Sequence, residues 1–415
     1  MRIIVQKFGG SSVADLECMR RVQIRVAQGL ASGAKVLAVL SARSGETNKL
    51  IQLAKDWSNS PSPAEMDVLM ATGEQQSIAL FSMVLKDAGI KARTLLGFQA
   101  GIITDDSHGK ARIKNIDTER IVKLFEKYDV LVVAGFQGVT EEGDITTLGR
   151  GGSDTSAVAL AACTRAELCE IYTDVEGIYT TDPRICPKAR KLDKVSYEEM
   201  LEMASMGAKV LEIRSVEFAK KYQVPLLVRS TFSDAAGTYV TKEDSSMEQL
   251  MVSSVAYDTN QARVTLRSLP DKPGVAASVF SPLSKANLSV DMIVQNPSRD
   301  GVTDMSFTVT RQDLQAALDL SEKIVKKVGG VEVLHEASVA KVSVIGVGMR
   351  NHSGVAAKAF EALLQENINI IMISTSEIKI SCIIDEKYVE LAVRVLHDTF
   401  GLDKTGYTAS SSTND

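Results

Sequence analysis

Two glycine-rich segments and one hydroxyl-rich turn carry residues able to handle charged ligands. The first is Lys7-Phe8-Gly9-Gly10-Ser11-Ser12. A lysine beside two glycines can set a point charge against phosphoryl oxygens while backbone N–H groups form an anion nest. The second is Gly149-Arg150-Gly151-Gly152-Ser153-Asp154, which opens a predicted helix. Helix N-terminal amides attract anions, and Arg150 can grip a carboxylate through two parallel hydrogen bonds. Ser153 and Asp154 could equally cap that helix. The third runs from Thr173 and Asp174 through Tyr179 to Arg184. Its hydroxyls, aromatic ring and guanidinium suit a nucleotide, although turn chemistry alone accounts for Gly177, Asp182 and Pro183. Smaller candidates are Ser41 with Thr47, Gly73-Glu74 and Gly207-Ala208-Lys209. Each of these alone reads as a loop hydroxyl, a solvated carboxylate or a surface lysine.

Some chemistries are excluded by what the chain lacks. No Ser-His-Asp or Cys-His arrangement stands out, and no P-loop pattern is present. Asp154 breaks the Gly-x-Gly-x-x-Gly spacing of dinucleotide sites. The four histidines form no His-Glu-x-x-His, and the five cysteines show no Cys-x-x-Cys, so no protein-built metal site is expected. What remains is a set of cations (Lys7, Arg150, Arg184, Lys209) with Glu74 and Asp154. Such a set suits phosphoryl transfer, where positioning and charge stabilisation do most of the catalysis.

The elements that must position these residues alternate along the first 230 or so positions. Strands are predicted at Arg2 to Lys7, Lys35 to Leu40, Asp129 to Ala134 and Leu168 to Tyr172. Helices are predicted at Ala14 to Leu30, Glu65 to Ala88 and Ser153 to Cys163. Strands that are apolar throughout, separated by helices, imply a largely parallel sheet covered on both faces. Ligand sites in such sheets lie at the carboxyl ends of strands, where the glycine-rich turns fall.

From about Met251 an internal repeat appears. Gly274-Val275-Ala276-Ala277, with Phe280, Leu283 and Asn287, recurs 80 residues later as Gly354-Val355-Ala356-Ala357, with Phe360, Leu363 and Asn367. Each copy reads as a βαββαβ unit, a small sheet backed by helices. The first has predicted strands at Arg263 to Leu269, Leu288 to Gln295, Thr303 to Thr310 and Val331 to Glu336. The second has Ala340 to Gly346, Ile368 to Ser374 and Glu377 to Ile384, but no good fourth strand. An orphan strand, Met251 to Ala256, is therefore expected to complete the second unit's sheet, with the first unit inserted into the second. A three-stranded second unit is the alternative. The domains are thus 1–245, then 263–337, with 251–262 plus 338–405 forming the third. The polar tail, 406–415, is expected to be disordered.

The chain has 415 residues, 45% hydrophobic and 24% charged, with a formal net charge of −5. That is an ordinary globular mix. A mildly acidic chain without a basic tail is a poor nucleic-acid binder. Apolar runs fall far short of the ~20 residues of a membrane span. No secretory signal is visible, and the scattered cysteines suit reduced thiols, so a cytoplasmic protein is expected.

With these motifs assembled, the chain resembles the aspartate kinase family over essentially its whole length. Val5-Gln6-Lys7-Phe8-Gly9-Gly10-Ser11-Ser12 is similar to that family's signature. Gly149 to Asp154 and Thr173 to Arg184 are similar to its substrate and nucleotide motifs, in the same order. The resemblance implies a three-layer α/β/α amino-acid-kinase domain followed by two ACT-like, ferredoxin-like regulatory domains. It implies ATP-dependent phosphorylation of the L-aspartate β-carboxylate, with magnesium on the ATP.

The implied roles follow residue by residue. Lys7 neutralises the transferred phosphoryl group, acting with Glu74 and Asp154. Ser41, Thr47, Glu74, Arg150, Gly151, Ser153 and Asp154 hold aspartate, Arg150 taking a carboxylate and Glu74 the amino group. Lys7, Gly9, Gly10, Thr173, Asp174, Tyr179, Arg184 and Lys209 hold ATP. A feedback amino acid, lysine or threonine, is expected on Asp271, Gly274, Asp291 and Gln295, with Asn369 and Ile370 of the other unit closing the pocket. ACT pairs imply a homo-oligomer. One departure is Glu212-Ile213, where some relatives have His-Pro. The rivals are a kinase of the same fold acting on glutamate, acetylglutamate, carbamate or a nucleotide, and a non-catalytic amino-acid sensor.

Overall fold

A computed structural model of the chain describes residues 1–207, 210–245, 247, 250–296 and 300–404. They fall into two compact units. One comprises Met1–Ile178 and Lys191–Met247; the other comprises Tyr179–Arg190 and the chain from Glu248 onward. Lys209 and the tail 406–415 lie outside the described residues.

In the first unit the strands are β1 (Ile3–Phe8), β2 (Lys35–Leu40), β3 (Ala92–Leu95), β4 (Ile102–Thr104), β5 (Ile113–Ile116), β6 (Val130–Ala134), β7 (Gln137–Val139), β8 (Ile145–Thr147), β9 (Leu168–Thr173), β10 (Lys194–Ser196), β11 (Leu226–Ser230) and β12 (Thr238–Thr241). The helices are α1 (Leu16–Ala31), α2 (Glu46–Trp57), α3 (Pro63–Asp87), α4 (Thr118–Leu124), α5 (Gly152–Thr164), α6 (Tyr197–Ser205) and α7 (Ile213–Tyr222). The main sheet has the order β10-β12-β11-β9-β1-β2-β6-β3. Its centre, from β11 to β3, is parallel, as the apolar strands require.

Side chains on a strand alternate between faces. Phe8, Ala38, Leu40, Val130 and Val132 pack with Met19, Val22 and Val26 of α1 and Ile78, Phe81 and Leu85 of α3. The intervening positions, including Lys7, face the other way, and α5 packs against β1, β2 and β9. A second, smaller sheet, β5-β4-β7-β8, was not expected. Its strands are three or four residues long and mix polar with apolar positions, too short for a periodicity to show.

The second unit contains β13 (Ser254–Pro270), β14 (Ile293–Gln295), β15 (Val302–Val309), β16 (Glu332–Ile345), β17 (Met372–Thr375) and β18 (Lys379–Asp385), with α8 (Val275–Lys285), α9 (Leu314–Val328), α10 (Val355–Gln365) and α11 (Val389–Thr399). Its sheet runs β14-β15-β13-β16-β18-β17. Two strands are longer than expected. Met251 to Ala256 and Arg263 to Leu269 are parts of one strand that starts at Ser254, and Val331 to Glu336 continues into Ala340 to Gly346. Irregular register between Asp258 and Arg263 lets β13 bend there without breaking. Ser254–Asp258 pairs with Lys341–Ile345, and Arg263–Arg267 pairs with Glu332–Glu336. The expected strands at Leu288 and Ile368 begin later, at Ile293 and Met372. Both α8 and α10 start from a glycine with positive φ, Gly274 at +93° and Gly354 at +89°, which explains why the repeat keeps glycine there. No helix among the described residues is long and apolar enough to cross a membrane.

Candidate active site

The site is built at the carboxyl ends of β1, β2 and β6. Lys7 Nζ lies 2.6 Å from Asp154 Oδ1, and both side chains are about nine-tenths buried. Asp154 stands in the first turn of α5, where backbone N–H groups favour a negative charge. The strand period and the helix start therefore bring together two residues 147 positions apart. Gly135, just past β6, makes room for this turn: a Cβ there would lie 2.8 Å from Ser153 Cβ. Ser153 is buried beside it.

A second wall is the loop after β2. Ser41 N–H donates to Phe8 O at 3.1 Å, and Ser44 N–H to Gly10 O at 3.1 Å. Gly10 is needed for that approach, since a Cβ would come 2.8 Å from Ala42 O. Gly9 N–H donates to Tyr172 O at 3.2 Å, tying β1 to β9. Thr47 lies in the first turn of α2 and is half-buried.

Glu74 reaches the same loop from α3. Its Oε1 accepts the Ala42 N–H at 2.9 Å. Its Oε2 is buried with no hydrogen-bond partner among the described residues. Burial is the main cause that pushes the Glu74 carboxyl up from 4.5 to about 7; the Ala42 N–H opposes it. A buried carboxylate with one oxygen unsatisfied is poised for a cationic ligand group.

Arg150 is exposed in the turn between β8 and α5. Gly149 and Gly151 flank it with φ of +77° and +64°, conformations that glycine supplies without strain. A Cβ on Gly151 would collide with the Glu212 side chain. Burial raises the Glu212 carboxyl, with Asp154 adding to the rise and Arg150 and Arg214 opposing it. The Glu212 departure noted in the sequence thus sits in the field of the site.

The nucleotide candidates divide. Thr173 ends β9; its carbonyl accepts the Thr231 N–H at 3.0 Å and its hydroxyl donates to Asp174 at 3.0 Å. Asp174 is exposed. Tyr179 and Arg184 belong to the segment grouped with the second unit. There Arg184 pairs with Asp182 at 2.7 Å, Tyr257 donates to Asp182 at 3.1 Å, and Thr180 bonds His397 at 2.9 Å.

The effector candidates lie in the second unit. Asp271 is exposed, and its N–H donates to Gly301 O at 2.8 Å. Gly274 caps α8. Asp291 pairs with the buried Lys341. Gln295 ends β14, one edge of the sheet, and is exposed; Asn369 and Ile370 precede β17, the other edge, and Ile370 packs against the second unit's core.

Two residues bonded to the turn that carries Arg150 and to its flanks were not anticipated, Asp67 and Arg214. The signal for Asp67 was present: it lies with Ala71, Glu74, Ile78, Phe81 and Leu85 on the buried stripe of α3, where a carboxylate is out of place.

Residues 2–230 match the amino acid kinase family, and residues 264–325 and 342–400 each match the ACT domain. An aspartate kinase of Stutzerimonas stutzeri (strain A1501) is 54% identical over 404 residues, 97% of this chain and 98% of that one. The structure of E. coli aspartokinase III in complex with aspartate and ADP (R-state) superposes with a TM-score of 0.79 at 28% identity, covering 96% of this chain and 99% of that one. The same enzyme in complex with lysine and aspartate (T-state) gives 0.74 at 29% identity, over the same shares of the two chains. The chain belongs to the aspartate kinases of the amino acid kinase family.

Proposed function

We propose that the site described above transfers the γ-phosphoryl group of ATP to the aspartate β-carboxylate. One β-carboxylate oxygen forms the new bond to phosphorus, the bond to the bridging oxygen breaks, and ADP leaves with that electron pair. The product is 4-phospho-L-aspartate. No general base is needed, because a carboxylate with a pKa near 4 is already ionised at neutral pH. The observation that carries the reading is the Lys7–Asp154 pair at a strand end and a helix start. Lys7 is held by Asp154 where charge on the transferred group can be met without reorganisation. Arg150 takes a substrate carboxylate, Glu74 takes the ammonium, and Ser41, Thr47, Gly151 and Ser153 complete the aspartate site. Thr173, Asp174, Tyr179, Arg184 and Lys209, with Gly9 and Gly10, hold ATP.

Magnesium on the ATP phosphates would supply further charge neutralisation. Such an ion would be held mainly by the phosphate oxygens, with few protein ligands. The test is ADP release with aspartate against glutamate and acetylglutamate as acceptors. Turnover confined to aspartate supports the reading, and equal turnover of the longer acids overturns it.

We further propose feedback inhibition by lysine or threonine at Asp271, Gly274, Asp291 and Gln295, completed by Asn369 and Ile370 of the other ACT unit. Support comes from the solved T-state relative, whose complex contains lysine. The two edges of the second unit's sheet, β14 and β17, suit pairing between chains. We read the molecule as a cytoplasmic homo-oligomer, which sedimentation would test.

The second ACT unit is read as residues 251–262 plus 338–405, with the first inserted into it. The register of Ser254–Asp258 against Lys341–Ile345 supports this, as does the packing of Val252 and Val255 in the core beneath α10 and α11. A fragment starting at about Arg263 should be less soluble and melt lower than one starting near Glu248. Equal behaviour would favour a simple tandem.

A further inference from the structure

The turn carrying Arg150 is fastened from outside by a carboxylate that the reaction does not use. Asp67 of α3 is fully buried. Its Oδ1 accepts the Thr147 hydroxyl at 2.5 Å, and both its oxygens accept the Gly109 N–H at 3.0 Å. His108 Nδ1 lies 2.8 Å from Oδ2. Thr147 ends β8, three residues before Arg150. The loop around Gly109 is thereby pressed onto the same turn. A Cβ at Gly149 would come 3.0 Å from Gly109 O, and Ala111 N–H donates to Thr147 O at 2.9 Å. From another direction Arg214, in the first turn of α7, donates to Leu148 O at 2.5 Å and to Ala111 O at 3.1 Å.

A turn with left-handed glycines on both sides of Arg150 has much conformational freedom of its own. Bidentate recognition tolerates little of it, because misplacing a binding group by about 1 Å is enough to lose most of its effect. A buried carboxylate, in turn, persists only where its hydrogen bonds are made. Asp67 makes its bonds to a hydroxyl, an N–H group and an imidazole that all border this turn. We propose that Asp67 and Arg214 are positioning residues for aspartate: they fix the turn from Leu148 to Gly151 so that the Arg150 guanidinium meets the substrate carboxylate. This rests on Arg150 being that carboxylate's partner.

The experiment is a double-mutant cycle in steady-state kinetics. Asp67→Asn should raise the aspartate KM about tenfold, with kcat and the ATP KM within about twofold of the parent. Thr147→Val removes one of the bonds at nearly constant shape, and should shift the aspartate KM the same way by less; it serves if Asp67→Asn does not fold. In an Arg150→Ala background neither change should raise the aspartate KM further, because both act through Arg150. Equal rises in both substrates' KM, a fall in kcat alone, or additivity with Arg150→Ala would overturn the proposal while leaving Arg150 in the aspartate site. An unchanged aspartate KM in Arg150→Ala alone would remove Arg150 from that site, and this proposal with it.

Discussion

The two units treat charge in opposite ways. In the first, the candidate site is made of buried charges held before any ligand arrives: Lys7 against Asp154, Glu74 against a backbone N–H, and Asp67 beneath the Arg150 turn. In the second, Asp271, Gln295 and Asn369 stand exposed, the N–H of Asp271 is already bonded to Gly301, and Asp291, itself exposed, is the candidate that meets a buried charge, Lys341. A site that must stabilise a transition state gains from charges fixed in a dry setting, since they need no reorganisation. A site that senses an amino acid gains from being incomplete, because the ligand can then favour the arrangement that closes it. The contrast predicts large effects on rate from single changes at Lys7 and Glu74, and effects only on regulation from changes at the effector candidates of the second unit.

The sharpest break would come from Lys7. Lys7→Ala should lower turnover about 10²–10³-fold, the usual loss when one charge-stabilising donor is removed. It also leaves Asp154 buried and unpaired, so the melting temperature should fall. The double variant Lys7→Ala/Asp154→Ala should regain part of that stability and none of the turnover. Near-normal turnover in Lys7→Ala, with only a raised aspartate KM, would make Lys7 a ground-state binder and weaken the contrast.

Glu74 gives the next effect, and it depends on pH. Its carboxyl is raised to about 7 in the folded chain against an ordinary 4.5. The folded state therefore holds the proton more tightly than the unfolded state does. Between pH 4.5 and 7 this group makes stability fall as pH rises, by about 3 kcal/mol once both pKa values are passed. Without ligand, Glu74→Gln should melt higher than the parent at pH 8 and close to it at pH 4.5. Aspartate binding through its ammonium needs the ionised form, so the parent's aspartate KM should rise as pH falls below 7. Glu74→Gln should lose that dependence and bind aspartate poorly throughout. A parent KM that is flat from pH 8 to 6 would take Glu74 out of ammonium recognition.

The legible part of the molecule was the part where sequence neighbours are also spatial neighbours. β1, β2, β6 and β9 announced themselves as apolar runs, and Lys7, Arg150 and Asp154 were marked by adjoining glycines. Glu74 was legible by its glycine neighbour. Asp67 has no such neighbour, and only its place on the buried stripe of α3 could have shown it. Arg214 binds carbonyl groups 66 and 103 residues away, and no local pattern encodes that. The grouping of Tyr179 and Arg184 with the second unit also rests on distant partners, Val255, Tyr257 and His397. In the second unit, the 80-residue repeat made the helices readable, while the merged strands β13 and β16 hid their continuity behind polar residues at Asp258–Gln261 and Glu336.

A smaller effect is expected at Glu212. Its side chain lies over Gly151, within the fields of Arg150 and Asp154. If Arg150 holds the substrate carboxylate, as proposed, a carboxylate there competes with it. Glu212→Gln should lower the aspartate KM by about threefold, the scale of a partly exposed charge interaction, and leave kcat unchanged. A raised KM would mean that Glu212 helps to hold the substrate.

The smallest effect on catalysis should come from Asp271, and it tests the contrast from the other side. Asp271 stands at the turn before α8, three residues ahead of the capping Gly274. Helix N-terminal N–H groups attract a carboxylate, and Asp271 can accept the ammonium of the same amino acid. The aligned position of the repeat is Asn351, which can accept a hydrogen bond but carries no charge. The two turns should therefore not bind one ligand equally, and the first should dominate inhibition. Asp271→Ala should raise the concentration of lysine or threonine needed for half-inhibition at least tenfold, consistent with losing a charge-assisted hydrogen bond. It should leave kcat and both substrate KM values within about twofold, since Asp271 lies outside the kinase unit and its side chain is exposed. Introducing the charge at the second turn, Asn351→Asp, asks the converse and should shift which amino acid inhibits or how many bind by titration calorimetry. If Asp271→Ala is inhibited as the parent is by every effective amino acid, the sensor lies elsewhere in the second unit. If it lowers kcat strongly, the exposed charges of that unit are part of the catalytic state, and the division between fixed and ligand-completed sites fails.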